Sequence, residues 1–66
     1  MQLTINGEPR EVPDGLNVAG LLTHLQIAAG RVAVEINAQV VKKADYAQTA
    51  LHSGDAVEVV AFVGGG

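Results

Sequence analysis

Met1-Gln2-Leu3-Thr4-Ile5-Asn6-Gly7-Glu8-Pro9-Arg10-Glu11-Val12 is the stretch from which the fold class follows. Met1, Leu3 and Ile5 alternate with Gln2, Thr4 and Asn6, and a period of two describes a strand with one buried face. Asn6-Gly7 comes next. Both residue types tolerate the positive φ that a two-residue type I′ turn requires, so the chain reverses there into a hairpin. The return strand spans Glu8 to Val12. Pro9 has no N–H to give to a second neighbour, which predicts that this strand lies at a sheet edge. Pro13-Asp14-Gly15 is turn chemistry and ends it.

Beyond the hairpin the period changes to that of a helix. Val18, Leu21, Leu22 and Leu25 stand at i, i+3, i+4 and i+7 and form one apolar stripe. Asn17 is the expected N-cap, and Leu16 before it is placed to staple onto Leu21. Gly20 costs about 1 kcal/mol of helix propensity relative to alanine, so packing on a sheet must hold the helix, which should stop near Gln26, before Gly30. Alternation returns over Arg31–Ile36, with Val32, Val34 and Ile36 inward and Ala33 and Glu35 outward. Asn37-Ala38 reads as a turn and Gln39-Val40-Val41 as a short strand. Residues 42–50 have no clean period; Asp45-Tyr46-Ala47 fits a single helical turn, with Leu51 returning to the core. Ser53-Gly54-Asp55 is a turn, and the last strand runs from Ala56 to Val63. Its β-branched content predicts a central position with neighbours on both sides. Val57, Val59 and Ala61 are expected in the core, and Glu58, Val60 and Phe62 on the opposite face. The alternative is a bulge that turns Phe62 inward. This order of elements predicts an α+β fold, a mixed sheet of four to five strands with one helix packed across it. The first and last strands should lie parallel at its centre.

The 66 residues allow one domain, with a core of aliphatic side chains because 48% of residues are apolar and only 3% aromatic. The absence of cysteine excludes disulfides, thiolate metal sites and a cysteine nucleophile, and is compatible with a reducing compartment. No basic leader precedes an apolar stretch, and no apolar run approaches the roughly 20 residues of a membrane helix, so a soluble cytoplasmic protein with no membrane partner is expected. The net charge of −3 argues against nucleic acid, which calls for a basic stripe with stacking aromatics, and favours steering toward a basic protein surface. Lys42-Lys43 reads as a solvated turn.

His24 and His52 titrate near neutrality but have no convincing partners. His52-Ser53-Gly54-Asp55 contains the residue types of a hydrolase triad, yet a triad is a spatial arrangement and adjacency does not make one. Asp14, Asp45 and Asp55 fall in loops where capping is the ordinary role. No histidine and carboxylate spacing resembles a metal ligand set. Gly64-Gly65-Gly66 lacks the Lys-Ser/Thr and the following helix of a phosphate loop. The glycine run has another use. Without Cβ atoms it fits a channel too narrow for other residues, and at about 3.3–3.6 Å per residue it carries the Gly66 carboxylate about 10 Å past the last strand. A carboxylate is a poor electrophile until it becomes an acyl adenylate, which a partner holding ATP can form if the tail reaches its active site. Val60, Phe62 and Val63, apolar and next to the tail, are the candidate docking residues. A frayed terminus or a linker remnant is the plain alternative.

The whole length resembles the ThiS family, sulfur carriers of thiamin biosynthesis with the ubiquitin-like β-grasp fold. The resemblance is carried by Met1-Gln2-Leu3-Thr4-Ile5-Asn6-Gly7, by Asn17-Val18 and Leu21-Leu22, by Gly54-Asp55 before Val57-Glu58-Val59-Val60, and by Phe62-Val63-Gly64-Gly65-Gly66. Asn17 stands where the family often has threonine, and both cap well. The resemblance implies a β-grasp domain over 1–63 and a flexible tail over 64–66. It also implies a carrier that is not itself an enzyme and binds no cofactor. A ThiF-type adenylating enzyme would use ATP to activate Gly66, with Gly64 and Gly65 threading its channel. A persulfide protein would supply sulfur, and the thiocarboxylate would pass it to thiazole synthase. Two related readings stay open: the small subunit of molybdopterin synthase or a tRNA-thiolation carrier, and a ubiquitin-like protein modifier.

Overall fold

The computed structural model describes residues 1–62. The expectations for Val63, Gly64, Gly65 and Gly66, and the boundary between a 1–63 domain and a 64–66 tail, lie outside the described residues. The strands are β1 (Gln2–Ile5), β2 (Glu8–Glu11), β3 (Val32–Ile36), β4 (Gln39–Val41) and β5 (Ala56–Ala61). One helix, α1 (Val18–His24), and two short 3₁₀ segments, Ala29–Arg31 and Lys43–Gln48, complete the set. The strands form one sheet in the order β2-β1-β5-β3-β4. β1 and β5 are parallel, through Thr4↔Ala56 and Ile5↔Val57, and the other pairs are antiparallel.

The opening hairpin forms as its residues require. Asn6 and Gly7 both take positive φ, at 50° and 83°, and Pro9 lies in the edge strand β2 opposite Thr4. Burial follows the alternation: Leu3 and Ile5 are buried, with Val57 of β5 and Val32 and Val34 of β3 completing the sheet's inner face. Asn37 and Ala38 make a second turn of the same handedness, with φ of 52° and 69°. An alanine there adopts a conformation that L-residues avoid, and the β3–β4 pairing on both sides holds it.

The helix is seven residues long and depends on its ends. Asn17 Oδ1 accepts from the Gly20 N–H at 2.7 Å, as an N-cap should, while Asn17 Nδ2 donates to the Ala47 carbonyl at 3.0 Å. A Cβ on Gly20 would lie 3.1 Å from Leu16 Cδ2 and 3.2 Å from Asn17 Oδ1, so the glycine leaves room for the cap and for the leucine before it. The helix stops at Leu25, its C-cap, slightly before the expected Gln26. Gln26 N–H donates to the Thr23 carbonyl and Ile27 N–H to the Leu22 carbonyl, the paired bonds of a Schellman motif, with Gln26 at φ 61° where glycine is usual. Val18, Leu21 and Leu22 are fully buried against the sheet, and Leu25 is half-buried.

The segment after β4 closes the core. Tyr46 and Leu51 are buried, and Val18 N–H donates to the Thr49 carbonyl at 3.0 Å and Leu51 N–H to the Leu16 carbonyl at 3.1 Å. β5 lies at the centre, as its composition predicts. The strand runs Ala56–Ala61, and its expected end at Val63 lies outside the described residues. One expectation needs correction: Ala61 faces the helix side yet is exposed. α1 ends at His24, and β1 accompanies β5 only as far as Ile5↔Val57, so Ala61 is open on the β1 side while its β3 partner Val32 stays buried. No helix is long and apolar enough to cross a membrane among the described residues.

Candidate functional site

The site is the end of β5, and its geometry begins with what holds that strand. On one side Asn6 continues the work of β1 after the backbone has turned away. Its N–H donates to the Val57 carbonyl at 2.9 Å, its Oδ1 accepts from Val59 N–H at 2.9 Å and its Nδ2 donates to the Val59 carbonyl at 3.2 Å. On the other side β3 pairs from Ile36↔Val57 to Val32↔Ala61, and Phe62 N–H extends the ladder to the Arg31 carbonyl at 2.9 Å. The base of the strand is tied by Asn37, whose N–H donates to the Ala56 carbonyl and whose Oδ1 accepts from Ala56 N–H. β5 is thus fixed along its whole length by β3 and, as far as Val59, by β1 and the Asn6 side chain, with Asn37 at its base.

Fixing the backbone fixes which side chains point outward. Val60 and Phe62 lie on the face opposite the helix, each 57% exposed, and Val40 on the same sheet is 73% exposed. No bulge turns Phe62 into the core. Its ring is partly covered by Lys43, whose Nζ lies 5.3 Å from the ring centroid and donates to the Gly30 carbonyl at 3.2 Å. A cation over an aromatic face is attracted by the ring quadrupole. Lys43, read from sequence as part of a solvated turn, is therefore in contact with the candidate docking residue. No local pattern announces it, since the pair is brought together by the pairing of β4 with β3 and of β3 with β5, which sets Lys43 near the Gly30 carbonyl and Phe62. Val63, Gly64, Gly65 and Gly66, the other candidate site residues, lie outside the described residues.

The remaining chemical groups do not converge. His52 Nδ1 is 3.9 Å from Asp55 Oδ2, but that carboxylate already accepts from the His52 N–H at 2.9 Å and from Asn37 Nδ2 at 3.1 Å, so it caps a turn. Ser53 Oγ accepts from the Gln2 N–H at 3.2 Å. The triad-like residues are thus turn residues. His24 is exposed on the helix. Among the described residues no group of three or more histidines and carboxylates could hold a metal ion. An open groove of about 440 Å³ runs between the helix end and the sheet, floored by Ile5, Leu25, Val59 and Ala61 with Arg10 and His24 at its rim. It lies on the helix side of the sheet, and neither Val60 nor Phe62 lines it. At the far end of the molecule, the Met1 ammonium lies 2.6 Å from Asp14 and 3.2 Å from Glu11. The Asp14 hydrogen bond raises the ammonium pKa above its ordinary value, and the same bond holds the Asp14 carboxyl below its own.

A mixed five-stranded sheet with the last strand central and one helix across it is the arrangement of the ubiquitin-like β-grasp proteins. Within that class the chain belongs to the ThiS family, whose model matches residues 3–66. The crystal structure of the thiamine biosynthesis protein ThiS from Geobacter metallireducens superimposes with a TM-score of 0.87 at 43% identity, each chain covering 100% of the other. A solution structure of a thiamine biosynthesis protein from the same organism gives 0.85 at 43% identity, over 100% of this chain and 88% of that one. In sequence, a thiazole synthase of Paramagnetospirillum magneticum is 47% identical over 66 residues, which is all of this chain and 20% of that protein. The uncharacterized protein ycf40 of Porphyra purpurea is 33% identical, over all of this chain and 93% of that protein. The chain therefore spans about a fifth of the length of the thiazole synthases it matches.

Proposed function

We propose that the chain is a sulfur carrier of thiazole formation in thiamin biosynthesis, with Gly66 as the group that carries the sulfur. In this reading a ThiF-type enzyme joins the Gly66 carboxylate to AMP from ATP, releasing pyrophosphate. The outer sulfur of a protein persulfide attacks the acyl adenylate and displaces AMP to give an acyl disulfide. A second thiol then cleaves its S–S bond, becoming a disulfide with the donor sulfur and releasing the thiocarboxylate, from which thiazole synthase takes the sulfur. The carrier binds no cofactor of its own and performs none of these steps. It supplies a carboxylate on a slim tail and a surface beside the tail by which partners hold it.

The observation that carries this reading is the family match through residue 66, which includes the Gly64-Gly65-Gly66 end. The exposure of Val60 and Phe62, at the end of a strand that β3 holds to Ala61, supports a docking surface beside the tail. The choice of thiazole synthase as acceptor is supported by the relatives of that name, in which a segment resembling this whole chain makes up a fifth of the protein.

The test is the intact mass of the chain after incubation with its adenylating enzyme, ATP and a sulfur source. A gain equal to replacing one oxygen by sulfur, mapped to Gly66, is the expected result. An unchanged mass with an active enzyme excludes sulfur carriage, and an isopeptide bond to lysines would identify a protein modifier instead.

A further inference from the structure

The chain has four lysine and arginine residues in all, and one of them, Lys43, sits where β5 runs out. Lys43 Nζ lies 5.3 Å from the centroid of the Phe62 ring, and the Arg31 carbonyl receives the Phe62 N–H at 2.9 Å. Arg31 and Lys42, each next in sequence to a residue of this end, are exposed. Further down the same outer face the sign reverses. Glu35 and Glu58 are direct cross-strand partners of β3 and β5, and among the described residues neither forms an ion pair. Like charges opposite one another oppose strand pairing, so this arrangement does not serve the sheet's own stability. Val40 is the cross-strand partner of Glu35 on its other side, and Val60 lies between Glu58 and Phe62. From Glu58 to Phe62 is four residues of strand, about 13 Å.

From this pattern we infer that the outer face of β3 and β5 is a polarised docking strip for the adenylating partner. It is negative at Glu35 and Glu58, apolar at Val60 and Phe62, and positive at Lys43. The partner it fits presents a basic side chain opposite the glutamate pair and carboxylates around the mouth of the channel that receives the tail. This inference rests on the carrier reading above and adds the chemistry of the partner surface. The physical reason is orientation. A net charge of −3 draws the chain toward a basic surface without turning it, whereas a tail must enter its channel end first. Two patches of opposite sign about 13 Å apart make the reversed approach repulsive at both ends and fix the register of the correct one. Lys43 has a second part in this. Held by the Gly30 carbonyl and seated over the Phe62 ring, it carries positive charge directly beside the apolar anchor.

The pattern can be separated from net charge by a charge swap. Glu58→Lys and Lys43→Glu are made singly and together; the double variant keeps the net charge of −3 and inverts the strip. The readout is ATP–pyrophosphate exchange by the cognate adenylating enzyme as the concentration of carrier is varied, with thermal unfolding of each variant measured in parallel. Each single variant is expected to raise KM for the carrier by about tenfold and to leave kcat within about twofold, because the charges act on encounter and seating. The double variant is expected to show no recovery. The differences should shrink near 1 M salt, where the screening length falls to about 3 Å. A double variant with the KM of the wild type overturns the inference, since net charge alone would then suffice. If a reversed variant fails to fold, Glu58→Gln and Lys43→Met replace it, and an unchanged KM for both overturns the inference equally. A wild-type chain that supports no exchange refutes the carrier reading itself, an outcome distinct from exchange that ignores the strip.

Discussion

Phe62 and Gly65 carry the sharpest consequences for single side chains. Phe62 is the only phenylalanine in the chain, and a core role would make Phe62→Ala cost about 3–5 kcal/mol. Its exposure and its contact with Lys43 predict less. Phe62→Ala should lower the unfolding free energy by under about 1 kcal/mol, the size of an exposed cation–π contact, while weakening binding to the adenylating partner. Denaturant unfolding alongside a binding titration measures both, and a loss of several kcal/mol would show hidden packing. Gly65→Val puts a branched side chain into the tail. The fold should be untouched, because the core runs from Leu3 to Val57, and the melting temperature should match the wild type. Adenylation should fall by about a hundredfold or more, since small displacements of a reacting group cost that much. Normal turnover of this variant would remove the argument for a narrow channel. The outward face of Phe62 was legible in the alternation of the last strand. The hand of Lys43 over its ring was not, because Lys42-Lys43 has no periodic partner and its destination depends on how β4 pairs with β3 and β3 with β5.

At the scale of elements, a seven-residue helix is too short to stand alone and is held by its ends and its buried face. Asn17 serves both the first turn and the Ala47 carbonyl. Asn17→Ala should therefore cost about 1–2 kcal/mol, the upper part of the range for lost caps. Asn17→Asp should recover the cap and lose only the donation to Ala47, so its unfolding midpoint should fall between the two. Near the entrance of β1, the Met1 ammonium and Asp14 make stability depend on pH in a defined window. Asp14 is held below its usual pKa, so its contribution is present above the ordinary carboxylate range and is lost as pH falls through its lowered value. The ammonium is raised, so its contribution is complete below the ordinary α-amine value and is lost as pH rises through its raised one. The stability difference between wild type and Asp14→Asn should be greatest between these limits and close toward both extremes, as pH-dependent thermal unfolding would show. The Asn17 cap could be read from its place before the apolar stripe. Its second bond to Ala47 joins residues 30 apart and has no sequence signature.

Taken whole, the molecule has a small core in which each large side chain matters. Leu3, Val18, Leu21, Leu22, Val34 and Val57 are the fully buried side chains, drawn from two neighbouring central strands, the helix and β3. At roughly 0.05–0.15 kcal/mol per residue, a chain of this length has about 3–10 kcal/mol of stability. Leu21→Ala should cost about 2–5 kcal/mol, a large share of that total, visible as a lowered urea midpoint. A shift under about 1 kcal/mol would mean that the sheet and helix relax to fill the cavity.

What the sequence by itself determined is local in origin. Alternation set the faces of β1, β3 and β5, the 3.6-residue stripe set the buried side of α1, Asn6-Gly7 set the first reversal and Pro9 placed β2 at an edge. These follow from bond geometry within a few residues, so they can be read without knowing the rest of the fold. The tertiary structure alone decided that Tyr46 is buried, that Ala61 is left open beyond the reach of α1 and β1, that Asn6 and Asn37 brace β5 by their side chains, and that Lys43 meets Phe62. Each of these depends on where separately formed elements come to lie against one another, and spacing along the chain does not encode that.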